Sequence, residues 1–332
     1  MNIKIKLTIL GLALFLGGTA IQEHYKADTK KTIPTVGVLQ FMTHPALHQI
    51  YTGIEEGLAD EGYQDGKNIK IDFQNAQGDQ SNLKTMSTRF ASKKVDLAVG
   101  IATPAAISLA NTIQKQPVIF AGSTNPIGSK LVTNYDHPTG NVTGVSDQAP
   151  LSDQIEMMKK ILPNLNTVGV LYTSSDDSAT IEAHKFQKLA QQKGLATKVA
   201  SVASSNDINQ TVLQLISNHQ VDALFIPTDN NIAGAMNTVI KNTNAAKVPV
   251  FPTVDTMVQQ GGLAAEAINQ KEIGIKTGRM IGRILSGKSV QDQSVEFMQQ
   301  GHLVINQKQA EKLGISIPNE LMQKAKIINS KE

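Results

Sequence analysis

The chain has 332 residues, 40% of them hydrophobic and 18% charged, which is enough apolar material for two ordinary globular domains and excludes a chain disordered throughout. Its net charge of +3 arises from basic and acidic residues interleaved along the sequence, so the concentrated positive field of a nucleic-acid binder is missing. There is no cysteine, which excludes disulfides, thiol nucleophiles and thiolate metal sites.

At the N-terminus Lys4 and Lys6 precede an apolar run over 7–16, followed by Gly17-Gly18-Thr19-Ala20. This is the layout of a secretory signal, with Gly18 and Ala20 as small residues for cleavage. With Ile21 included the run reaches about 15 residues, short of the roughly 20 needed to span hydrocarbon. Export is expected, and both cleavage and retention as an anchor remain open. The polar stretch 22–32 reads as a tether to the folded body.

Behind Pro34 the run 35–39 reads as a strand, followed by a loop with Gln40, Phe41 and His44-Pro45 and a helix over 46–61 that Gly62 stops. A strand at 69–73, a helix at 79–91, a strand at 97–99 and a helix at 104–113 with Thr103 as its N-cap come next. The strand 118–121 then ends in Gly122-Ser123-Thr124-Asn125-Pro126, and 142–146 closes this half ahead of a crossover at 147–150. Strands alternating with helices in this way imply a parallel sheet. In the second half the helix 152–161 precedes a strand at 167–172, a loop at 173–178, a helix at 179–194 and a strand at 197–202. A helix at 208–218, a strand at 223–226, a helix at 232–244 and strands at 249–251 and 263–268 complete it. The body ends with a helix at 273–286, a strand at Val304-Ile305 and a helix at 307–312.

The second half repeats the first. Thr35-Val36-Gly37-Val38-Leu39 recurs 132 residues later as Thr167-Val168-Gly169-Val170-Leu171, and Pro117-Val118-Ile119-Phe120 resembles Pro249-Val250-Phe251-Pro252 at the same offset. Val95-Asp96 recurs as Val221-Asp222 at an offset of 126, which aligns Thr103 with Asp229. Ordered matches at near-constant spacing imply two homologous α/β units.

Ligands of open parallel sheets bind beyond the C-terminal strand ends. That rule selects Gln40, Phe41, Thr103, Ser123, Thr124, Asn125 and Ser146 in the first half, and Tyr172, Thr173, Asp229, Asn230, Thr253 and Asp255 in the second. Hydroxyls and free N–H groups at helix starts suit a carboxylate, and a lone carboxylate such as Asp229 suits an ammonium group. Together they describe an α-amino acid, on whose side chain Phe41 and Tyr172 would stack. Each position also has a purely structural alternative: helix capping for Thr103 and Asp229, turn chemistry for 123–125, packing at the core edge for Phe41 and Tyr172. The scattered His44, His48, His184 and His302 lack metal-ligand spacing and read as surface or packing residues. No metal site and no cofactor are expected.

The chain resembles the type I periplasmic-binding-protein fold: two Rossmann-like lobes with parallel sheets joined by a three-crossover hinge. In detail it is similar to the ABC transporter substrate-binding family assigned to tryptophan, tyrosine or phenylalanine. The segments that carry the resemblance are Val36-Gly37-Val38-Leu39-Gln40 with His44-Pro45, Val99-Gly100-Ile101-Ala102-Thr103-Pro104-Ala105, Asn125-Pro126-Ile127-Gly128, Gly140-Asn141-Val142-Thr143-Gly144-Val145-Ser146, Asp229-Asn230 and Gly261-Gly262-Leu263-Ala264. The resemblance implies a monomeric, extracytoplasmic binder that closes on an amino acid and hands it to a membrane permease with its ATPase. It also implies a signal or anchor segment with its tether over 1–32, a first lobe of 33–147 plus 270–294 and a second of 148–269 plus 295–332. Motif for motif, it points to Thr103, Ser123, Thr124, Ser146, Asp229 and Asn230 as the ligand shell. Members with a lipid anchor carry it on a cysteine at the end of the signal, which this chain lacks, so anchoring by a retained segment and release after cleavage both stay open.

Among other functions, a sensor feeding a membrane receptor, for a branched aliphatic amino acid or a nucleoside, would present the same cleft. A DNA-binding regulator of this fold would need a head domain where the N-terminus is instead apolar. An enzyme would need paired acid and base groups or a metal, which the strand ends do not offer.

Overall fold

The computed structural model describes residues 33–298 and 301–329. The expected signal segment and tether over 1–32 lie outside them. The first half runs β1 (Thr35–Gln40), α1 (Pro45–Asp60), β2 (Lys70–Asn75), α2 (Gln80–Lys93), β3 (Leu97–Ile101), α3 (Thr103–Thr112), β4 (Val118–Ala121) and β5 (Val142–Ser146). Strands β3 and β4 are buried at every residue, as expected for continuous apolar runs covered by helices on both faces. Neighbouring strands in this sheet all pair in parallel.

The second half contains α4 (Leu151–Ile161), β6 (Thr167–Thr173), α5 (Asp177–Gln192), β7 (Ala196–Val202), α6 (Ile208–Ile216), β8 (Ala223–Ile226), α7 (Asn230–Gly234), α8 (Met236–Ala245) and β9 (Val250–Pro252). Its parallel sheet has the order β7-β6-β8-β9, which reproduces β2-β1-β3-β4. The repeat reaches individual hydrogen bonds. The Asp96 carboxylate accepts from Thr35 N at 2.7 Å, and the Asp222 carboxylate accepts from Thr167 N at 2.8 Å. An aspartate at the foot of the third strand thus ties down the first strand in both halves. The helix expected over 232–244 is broken at Ala235 (φ −112°, ψ 17°) into α7 and α8.

The remainder holds α9 (Asp255–Gln259), β10 (Ala264–Ala267), α10 (Gln270–Leu285), β11 (Glu296–Phe297), β12 (His302–Asn306), α11 (Gln307–Leu313), α12 (Asn319–Lys324) and β13 (Lys326–Ile328). β10 does not extend the second parallel sheet as its sequence position predicts. Leu263 N donates to Val250 O at 2.7 Å, and from there the chain diverges to run antiparallel to β12 in a separate three-stranded sheet, β10-β12-β13. α10 packs on α1 through glycines on both helices. A Cβ at Gly53 would lie 2.2 Å from Lys271 O, and one at Gly274 would lie 2.1 Å from Ile50 O. Contact between the two backbones is possible only because neither residue has a side chain. β11 pairs with β5 at the edge of the first sheet, so Glu296–Phe297, expected in the second half, belongs to the six-stranded sheet of the first.

Candidate functional site

The strand ends of both halves converge on a small cavity of about 20 Å³, walled by His44, Ala46, Ala102, Thr103, Gly122, Thr124, Asp147, Ser178, Thr228, Asp229, Asn230, Ala233, Val254, Met257 and Gln270. On the first-half side, β3 turns into α3 through Ala102 at φ 74° and ψ 154°. This conformation is nearly reserved for glycine and costs a residue with a Cβ about 1–3 kcal/mol. It also shifts the helix start. Ala102, not Thr103, occupies the cap position, no side chain caps the helix, and Thr103 is the first helical residue. Relieved of capping, the Thr103 hydroxyl donates to Ser123 Oγ at 3.2 Å and accepts from Ser178 Oγ at 3.0 Å. Behind it Ser146 Oγ donates to Ser123 O at 2.8 Å. A chain of hydroxyls therefore runs from α5 in the second half into the end of β4 in the first.

A second open helix start lies beside it. His44 holds the cap position of α1 without a capping hydrogen bond from its side chain, while its Nε2 meets Asn230 Oδ1 of the second half at 3.0 Å. Burial lowers the His44 pKa against the opposing pull of Asn230, and its Nδ1 has no partner. The positive ends of two helix dipoles thus meet the cavity without a side-chain cap.

Buried carboxylates come to this region from both halves. Asp229 caps α7: its Oδ1 accepts from Ile232 N and Thr173 Oγ1, each at 3.0 Å, and its Oδ2 accepts from Thr173 N at 2.6 Å. Burial raises its pKa against these donors. Asp176 caps α5 by accepting from Ser178 N at 3.0 Å and Ala179 N at 3.1 Å, and burial followed by the charge of Asp229 pushes it up to about 7. Asp147, just past β5, is 5% exposed, its Oδ1 has no partner, and burial raises its pKa to about 6. Glu182, on the buried face of α5, is 3% exposed. One of its oxygens accepts from Thr228 N at 3.2 Å, while its Oε1 has no partner. Burial, and after it the charge of Asp147, pushes Glu182 up to about 8. A second cavity of about 110 Å³, lined by Thr124, Asn125, Gln148, Ala149, Leu151, Ile181, Glu182 and Lys185, shares Thr124 with the first.

Of the positions selected from sequence, Thr103, Thr124, Asp229 and Asn230 wall the first cavity and Asn125 the second. Asn125 also keeps a turn role, its Oδ1 accepting from Gly128 N at 3.0 Å. Ser123 and Ser146 stand behind the wall. Gln40 turns back to donate to Met42 O at 2.7 Å, and Thr253 Oγ1 pairs with Thr228 Oγ1 at 3.0 Å. The expected aromatic stacking surface is not at the cavity. Phe41 packs into the first-half core, and strand alternation on β6 sends Tyr172 into the core with α5, its ring 6.0 Å from that of His184. Asp255 lies apart, where burial raises its pKa against the nearby His302. Sequence reasoning passed over His44, Asp147, Ser178, Glu182 and Gln270. Glu182 had a readable signal: it shares the apolar stripe of Ala179, Ala183 and Phe186, where an acid needs a reason. Among the described residues no cluster of His, Asp and Glu is arranged to hold a metal ion.

Comparison with known proteins gives concordant matches. A family model described as ABC transporter substrate binding protein matches residues 35–328. A curated protein from Clostridioides difficile named tyrosine-binding protein is 33% identical over 291 residues, covering 88% of this chain and 84% of the relative. A crystal structure of an ABC domain from Streptococcus pneumoniae in complex with L-Trp is 43% identical with a TM-score of 0.86, covering 90% of this chain and 100% of that one. The ligand-free, open structure of a substrate-binding protein with adhesive properties from Clostridium difficile is 31% identical with a TM-score of 0.71, covering 90% and 100% of the two chains.

Proposed function

This chain belongs to the ABC transporter substrate-binding proteins, and from that premise we propose that its cleft closes on an aromatic α-amino acid, tryptophan, tyrosine or phenylalanine, for delivery to a membrane permease and its ATPase. It is a binding component of a transport system and not an enzyme.

The observation that carries the reading is the polarity of the cavity. Two helix starts without side-chain caps and two buried carboxylates, Asp147 from the first half and Asp229 from the second, bound the same cavity. A zwitterion matches both features at once, whereas a sugar or nucleoside leaves the carboxylates uncompensated, at the cost of a buried unpaired charge. The aromatic preference follows the tyrosine-binding relative and the tryptophan-bound domain. Closure fits the contacts made directly between the halves, Thr103 to Ser178 and His44 to Asn230. It also fits the greater likeness to the tryptophan complex than to the open, ligand-free structure.

In this reading the lobes are 33–147 with 270–294 and 148–269 with 295–332, save that β11 stitches the late chain to the first sheet. Thr103, Thr124, Asp229 and Asn230 contribute to the ligand shell, with Ser123 and Ser146 supporting Thr103 from behind. The protein acts as an exported monomer whose N-terminal segment directs it across the membrane and, if retained, holds it there. Calorimetric titration of protein that has been unfolded and refolded to strip carried ligand tests the reading. The expected outcome is binding of at least one aromatic amino acid more than tenfold tighter than leucine. Folded protein that binds leucine or a nucleoside in preference, or no aromatic amino acid at all, overturns it.

A further inference from the structure

Two buried carboxylates belonging to different halves each present an oxygen with no hydrogen-bond partner. These are Asp147 Oδ1, at the end of β5, and Glu182 Oε1, on α5. Asp147 lines the first cavity and Glu182 the second, and Thr124 lines both. The two acids are close enough for the charge of Asp147 to act on Glu182. No cation is paired with either, because the ion pairs formed among the described residues lie elsewhere on the molecule. Lys185, one turn along α5 from Glu182, pulls its pKa down by less than burial and Asp147 raise it.

We propose that Asp147 and Glu182 together form the receptor for the α-ammonium group of the ligand, so that closing the cleft brings the two acids onto one cation. The inference rests on the amino-acid reading above and changes one of its parts. Asp229, which the sequence offers as the ammonium partner, already accepts three hydrogen bonds from Thr173 and Ile232. Asp147 and Glu182 each keep an oxygen in hand. An ammonium group carries three N–H donors and so satisfies both free oxygens at once with one donor to spare. Because each half contributes one acid, neither half alone completes the site, and recognition of the cation is coupled to closure.

A proton accompanies the exchange. With Asp147 raised to about 6 and Glu182 to about 8, near neutral pH the pair holds a proton on the Glu182 side. An arriving ammonium takes that place, and the proton leaves to solvent. The other titratable groups around the pair are Lys185 on α5, His44 at the start of α1, and Asp176 and Asp229 at the starts of α5 and α7. Asp176, at about 7, is the one that could release a proton in the same range.

The experiment titrates wild type, Asp147→Asn, Glu182→Gln and the double variant with tryptophan and with indole-3-propanoate, its analogue lacking the amino group, in two buffers of different ionisation enthalpy at pH 7. Wild type is expected to prefer tryptophan strongly and to release close to one proton on binding it. Each single variant is expected to lose about a hundredfold in tryptophan affinity, the effect of breaking a buried charge pair. The double variant is expected to bind the two ligands alike. Glu182→Gln is expected to abolish proton release, whereas release by Asp176 would persist in it. Indole-3-propanoate, which has no ammonium to lose, is expected to bind the variants at least as well as wild type, which reports an intact fold. Undiminished preference for tryptophan in the double variant overturns the assignment while leaving the amino-acid reading in place. Failure of wild type to bind tryptophan, tyrosine or phenylalanine overturns the reading on which the assignment rests.

Discussion

The two halves of this molecule solve the same local problem in opposite ways. In both, the third strand of the sheet runs into a helix at the cavity wall, and the repeat places Thr103 opposite Asp229. In the first half the cap position falls to Ala102, held in a strained left-handed conformation, and the helix start is closed by no side chain. In the second, Asp229 folds its carboxylate over the start of α7 and over Thr173 of β6, satisfying the helix from within. A duplicated scaffold has thus kept one junction open to an anion and sealed the other with a charge of its own. This asymmetry sets an uncapped helix start and a capping carboxylate at the two junctions of one cavity, a pairing that a zwitterion can use and that two identical halves would not supply.

The sealed junction breaks most expensively. Asp229→Ala removes the cap of α7, worth about 0.5–2 kcal/mol, and strands the buried Thr173 N–H, worth about 1–3 kcal/mol, so a loss of about 1.5–5 kcal/mol in urea unfolding is expected. A change below about 0.5 kcal/mol would mean that the junction is not sealed in this way. Ligand affinity should also fall, because the wall at Asn230 moves with α7.

The buried acids around the cavities set the response to pH. Asp147, Asp176 and Glu182 have ordinary values of 3.8, 3.8 and 4.5 and are raised in the folded protein to about 6, 7 and 8. Over that window the unfolded chain holds fewer protons than the folded one. Stability of the ligand-free protein is therefore full below about pH 4 as far as these groups are concerned, and is lost as pH rises through about 8. Thermal melts taken from pH 5 to 8 should show a falling Tm, with the portion above pH 7 missing in Glu182→Gln. A Tm that stays level or climbs across this range would contradict the burial of these acids.

Much of this was legible in the sequence, and the boundary between what was and was not is physical. Strands such as 118–121, 142–146 and 223–226 are buried on both faces, so their apolar runs and punctuating polar residues mark them to the residue. The Val-Asp repeat was visible as a pattern, though not its cause, the paired backbone bonds of Asp96 and Asp222. The rule that ligands lie beyond strand ends selected Thr103, Thr124 and Asp229, which wall the first cavity, because strand ends are local features. It could not find Glu182, which reaches the site from a helix face, or Asp147, whose importance depends on what α5 brings opposite it. It overreached at Phe41 and Tyr172, because which side of a strand faces the core is decided by the helices that cover it. The antiparallel turn of β10 and the short strands Glu296–Phe297 and Lys326–Ile328 were hidden for the same reason: two or three residues carry no periodicity, and only tertiary pairing makes them strands.

A subtler change sharpens the open junction. Thr103→Val keeps the shape of the side chain and removes the hydroxyl that links Ser178 to Ser123 across the halves. Ser178 Oγ and Ser123 Oγ both lose their Thr103 partner, at about 1 kcal/mol for each bond. Because the link to Ser178 exists only when the halves meet, that part of the loss should fall on closure, while the Ser123 bond, made within the first half, is lost in open and closed protein alike. Amino-acid affinity is expected to drop about fivefold to tenfold, while the melting temperature of the ligand-free protein falls by only the few degrees that about 1 kcal/mol represents. A fall in melting temperature with affinity unchanged would mean that the hydroxyl chain holds the body together whether or not the cleft is shut.

The smallest expected effect tests why the open junction is strained at all. Ala102 sits at φ 74° and ψ 154°, where a Cβ is costly and glycine is not. Ala102→Gly should therefore relieve about 1 kcal/mol of strain, largely offset by the greater freedom of glycine in the unfolded chain, for a net gain in stability of at most about 0.6 kcal/mol. The same freedom loosens the one turn that sets Thr103 and the start of α3 against the cavity. If the strain is what holds that start in position, the more stable variant binds its amino acid less well. A variant gaining in both stability and affinity would show that the turn needs no help from its side chain, and that the asymmetry between the halves rests on the absence of a cap alone.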